Sequence, residues 1–85
     1  MTPAQLKASA QADPQPPGGL SHEAQSLWFI KKGDWESAHD IAQDIETPIG
    51  SWLHALLHLI EGDRPVKVPS QIDELWDEIA EEVLN

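Results

Sequence analysis

The chain has 85 residues, with 15 Asp and Glu against 5 Lys and Arg, a net charge of −10, and no cysteine. That charge repels nucleic-acid phosphates and anionic lipid headgroups, and no basic stripe offsets it. The missing thiols exclude disulfides and thiolate metal sites and agree with a reducing cytosol. This length holds one domain, with a core small enough to need a metal, a partner chain or very close packing.

No apolar run approaches the roughly 18 residues of a membrane span. The longest, Trp52 to Ile60, is interrupted by His54 and His58. The start, Met1 to Lys7, lacks the apolar stretch of a signal peptide. The expected setting is the cytoplasm, with neither nucleic acid nor membrane as partner.

In chain order, residues 1–12 are rich in Ala and Gln, and Thr2-Pro3 reads as a helix start with proline at the first helical position. Leu6 is the large apolar side chain of that stretch, so a marginal helix or a disordered tail is expected. Asp13 to Gly19 holds three prolines and two glycines and breaks any helix. Residues 1–19 therefore read as a flexible N-terminal arm with a linker, and 20–85 as a single helical domain.

Ser21 is a candidate N-cap for the first core helix, with Leu20 before it as a staple residue. Lys31 and Lys32 suit the negative end of its dipole, and Gly33 supplies the stop. Asp34 caps a second helix, in which Trp35, Ala38, Ile41, Ala42 and Ile45 form an apolar stripe opposite Glu36, Asp40, Gln43 and Asp44. Thr47-Pro48 starts a third, with Ile49, Trp52, Leu53, Leu56, Leu59 and Ile60 as its apolar face and Gly62-Asp63 as its end. Two prolines then bracket Val66-Lys67-Val68 as an extended connector. Ser70 and Asp73 resemble a capping box for a fourth helix. That helix turns Ile72, Leu75, Trp76, Ile79, Ala80 and Val83 inward and Asp73, Glu74, Asp77, Glu78, Glu81 and Glu82 outward. No segment alternates with the period of a strand. Short connectors force antiparallel neighbours, so the expected fold is all-α, antiparallel helical hairpins with four core helices.

The segment Leu27-Trp28…Gly33-Asp34-Trp35-Glu36-Ser37-Ala38-His39, followed by Trp52-Leu53-His54-Ala55-Leu56-Leu57-His58-Leu59-Ile60-Glu61-Gly62-Asp63, resembles an uncharacterised group of small TPR-like helical proteins, mostly bacterial. The likeness spans about residues 20–63. An apolar helix ending in Gly-Asp recurs, at Leu27 to Asp34 and at Leu56 to Asp63, in keeping with helical-repeat geometry. The resemblance implies a TPR-like fold and no particular activity. Where the group continues into a helix rich in Asn-Ala and aromatic residues, this chain has Arg64-Pro65-Val66-Lys67.

Four histidines are the residues best suited to chemistry: His22, His39, His54 and His58. His54 and His58 lie one turn apart on one helix face, shared with Ser51 and Glu61, a spacing at which two imidazoles can hold one divalent ion such as zinc. His39 sits beside Trp35 and Gln43, where an antiparallel hairpin brings it near that pair, and His22 opens the first core helix. Ala55 stands where a metalloprotease carries Glu, so these histidines read either as a metal or acid–base site or as surface groups paired with carboxylates. Trp28, Trp35, Trp52 and Trp76 occupy stripe positions and read as core, or as an aromatic surface meeting a partner. Phe29, off the main stripe, is the candidate exposed contact. With no phosphate loop, nucleophile–base pair or dinucleotide fingerprint, the expected role is a protein-interaction or self-assembly module without catalytic activity or obligatory cofactor.

Overall fold

The computed structural model describes residues 1–60 and 69–84. It comprises five helices: α1 (Pro3–Ala12), α2 (His22–Lys32), α3 (Trp35–Gln43), α4 (Pro48–Ile60) and α5 (Pro69–Leu84). Among the described residues there is no strand, and no helix is long and apolar enough to cross a membrane. The expected extended connector around Val66-Lys67-Val68, and the expected helix end at Gly62-Asp63, fall outside the described residues.

Local chemistry accounts for the helix ends. The Ser21 hydroxyl accepts from Ala24 N at the start of α2, and Gly33 closes that helix in the left-handed region at φ 91°. Gly33 N and Asp34 N both donate to Phe29 O, the double turn that a glycine without a Cβ penalty permits. Asp34 then caps α3 by accepting from Ser37 N. The stripe of α3 ends sooner than its apolar pattern suggests. Asp44 closes the helix and Ile45 falls in the turn. α5 starts at Pro69, which puts Ser70 inside the helix rather than at its cap.

Consecutive helices from α2 to α5 pack against one another, and α2 also touches α4 and α5. Leu27, Trp28, Ala38, Ala42, Leu53, Leu56, Leu57, Trp76 and Ala80 are buried together. Buried polar groups are tied across the seams. Ser26 Oγ donates to Ala38 O, joining α2 to α3, and Trp76 Nε1 donates to Leu27 O, joining α5 to α2. The Trp76 ring has Lys7 and Lys31 ammonium groups 5.3 and 5.1 Å from its centroid, and these pair with Asp77 and Asp73.

The N-terminal arm departs from the expectation of a flexible tail. α1 is a capped helix, with Thr2 and Gln5 closing a capping box, and it lies against α2 and α5. Leu6 and Ala10, one turn apart, are fully buried in the common core. Complete burial of one leucine is worth about 1.5–3 kcal/mol, which offsets the marginal stability of so short a helix. Polar bonds fix its far end. Trp28 Nε1 donates to Ser9 Oγ, Ser9 Oγ donates to Asp13, and Lys32 Nζ donates to Asp13 O.

That packing also decides two aromatic positions, Trp28 between its two readings and Phe29 against the expected one. Trp28 lies wholly inside the core, covered by α1, and offers no face to a partner. Phe29 is half-buried, its ring edge-on to Trp28 at 5.1 Å, so it is part of the packing rather than an exposed contact.

Candidate metal centre

α3 and α4 run antiparallel, and the register is visible in their cross-links. Trp35 Nε1 donates to Leu57 O at the open end, His39 faces His54 in the middle, and Gly50 closes against Ile45 at the turn. Gly50 is required there. A Cβ at that position would stand 2.5 Å from Ile45 O and 2.8 Å from Ile45 Cβ, closer than atoms approach. The absence of a side chain lets the first turn of α4 lie on the chain leaving α3, and this sets which residues of the two helices face each other.

The helix face carrying His54 and His58 is turned along α3. His39, half-buried, is stacked on Trp35 with centroids 4.7 Å apart and planes at 16°. Its Nε2 is 3.0 Å from His54 Nε2, so one ring donates and the other accepts. The His54 and His58 rings are 4.5 Å apart at 62°. One ring nitrogen from each of the three residues lies within 4.8 Å of the others. His58 is exposed, so one side of the cluster is open to water. His22 is exposed at the start of α2 and is not part of the cluster, and Glu61, placed by spacing on the same face, lies outside the described residues.

At His54 this crowding of imidazoles disfavours proton uptake. Burial lowers the pKa of His54 below its ordinary value of 6.5, and the neighbouring His58 and His39 lower it further. The form favoured at neutral pH is therefore the one with a free lone pair. Around a tetrahedral zinc with nitrogens at about 2.0–2.1 Å, neighbouring ligand atoms stand about 3.3 Å apart. The His39–His54 separation, 3.0 Å, is near that value, and the His58 nitrogen lies within 4.8 Å of both. Three imidazole nitrogens suit zinc, copper or nickel and not calcium or magnesium, which demand oxygen. The open side would leave a fourth position to water or an added ligand.

Of the remaining candidate residues, Trp35 is half-buried beside this cluster and serves it as a wall. Trp52 projects from a different side of α4 and is 51% exposed. Spacing alone identified the His54–His58 pair, and the antiparallel hairpin brings in His39. The stacking of Trp35 had no sequence signal beyond its own four-residue spacing from His39. No family model matches the chain, and neither a curated protein nor a solved structure matches it.

Proposed function

We propose that the protein binds a divalent transition metal of the zinc class through His39, His54 and His58. The observation that carries this reading is the convergence of three ring nitrogens within 4.8 Å from two helices whose register is fixed independently of them. The ion would join α3 to α4 across their open seam, its fourth position facing water. Loading would shift the N–H between His39 and His54 to the far nitrogen of its ring, and protons compete for the same lone pairs, so binding weakens in acid, as the pH falls through the lowered pKa of His54. The expected experiment is zinc titration of untagged protein by calorimetry, with thermal melting alongside. Zinc at a hundred times its dissociation constant adds about 2.7 kcal/mol of stability, and His54→Ala abolishes the gain. Equal stabilisation of native protein and His54→Ala, or no binding at micromolar zinc, overturns the assignment.

The interaction-module reading expected for a TPR-like helical stack rests on a different surface, the exposed Trp52.

A further inference from the structure

α4 and α5 leave between them an apolar groove that the metal reading does not use. It is lined by Trp52, Ala55, Leu56, Leu59, Leu75 and Ile79, with a volume of about 170 Å³. Trp52 and Leu75 are 51% and 36% exposed, two of the three large apolar side chains most open to water among the described residues. Trp28 and Trp76 are completely buried, which makes the exposure of a third tryptophan on the same small core a conspicuous cost. The space equals about six water volumes, enough for one large aliphatic side chain.

The charge beside the groove narrows what fills it. Glu78 and Glu82 are exposed and stand three residues beyond Leu75 and Ile79, hence next to them on the surface of α5. Glu74 extends the same acidic bank by a further turn. A second copy of this chain, with its net charge of −10, would bring like charges together at the rim. A segment with an apolar anchor and flanking Lys or Arg meets both the groove and its bank. We propose that the α4–α5 groove docks a cationic amphipathic helix of another protein, seating one large aliphatic side chain against Trp52 and Leu75 with basic residues over Glu78 and Glu82.

The test uses the full chain and two synthetic helical peptides of one apolar pattern, one Leu/Lys and the other Leu/Glu. The emission of Trp52 reports docking, because the other three tryptophans are already buried or half-buried. The expected result is a saturable blue shift with the Leu/Lys peptide and none with the Leu/Glu peptide. Leu75→Ser, which leaves the charge unchanged, should weaken binding about tenfold or more. Glu78→Gln with Glu82→Gln should weaken it and flatten its salt dependence. Circular dichroism should show native helicity in both variants, since neither removes a buried group. Equal binding of the two peptides, or undiminished binding to Leu75→Ser, overturns the proposal. So does a concentration-dependent dimer, seen by light scattering, in which Trp52 is already shielded, because the occupant would then be a second copy.

Discussion

α4 meets a neighbour on each flank, and the two seams differ in chemistry although one helix supplies both. Towards α3 it presents His54 and His58, half-buried and exposed, to a third imidazole and an indole. Towards α5 it presents Leu56 and Leu59 beside Ile79 and Leu75, with Trp52 at the edge. The apolar seam is held by area removed from water, which tolerates adjustment of its members. The imidazole seam is held by register, because ring nitrogens must meet within hydrogen-bond distance. A shift that the first absorbs would dismantle the second. Core packing through Leu53 and Leu57 lies between them and keeps both in step.

Four measurements separate the two seams. Trp76→Ala should have the largest effect, about 3–5 kcal/mol in urea unfolding, because it empties the site of a fully buried ring and removes the donor to Leu27 O. Gly50→Ala should cost about 1–3 kcal/mol, since the new methyl group meets the Ile45 backbone. It should also weaken zinc binding, which Trp76→Ala should spare in whatever fraction remains folded. If Gly50→Ala leaves zinc affinity unchanged, register does not govern the imidazole seam. A smaller effect is expected from acid. The pKa of His54 lies below 6.5 in the folded chain, so under that pH the unfolded chain takes up a proton that the folded chain resists. Stability from this site is complete above 6.5 and declines as the pH falls towards the depressed folded value. His54→Gln should flatten that part of the stability–pH curve, and an unchanged slope would remove the site as its source. Smallest of all, Trp52→Ser should change stability by no more than about 0.5 kcal/mol. A larger loss would mean that the groove is held together by its exposed ring.

How much of this was legible in the sequence depends on whether the information was local. The starts of α2, α3 and α4 follow from Ser21, Asp34 and Thr47-Pro48, each of which acts on groups within a turn of itself. The pairing of His54 with His58 is equally local, and His39 joins them once two short helices must run antiparallel. The docking of α1 was hidden because it depends on what lies across from it. Leu6 and Ala10 make a poor stripe by themselves, and Ser9 shows nothing of its bond to Trp28, nineteen residues away. The choice between core and partner surface for Trp28 stayed open for the same reason, since its exposure is decided by a helix whose own stability it helps to provide. Gly50 reads only as a poor helix former until Ile45 is seen above it.

The stack of Trp35 on His39 has a consequence of another kind. An indole held 4.7 Å from the His39 ring would be an optical gauge of an ion bound there. Copper(II), with its open d shell, would darken Trp35 on arrival, whereas zinc, with a filled one, would leave it bright. A mixture of the two ions would thus report its own partition in the protein's ultraviolet emission, with no dye attached.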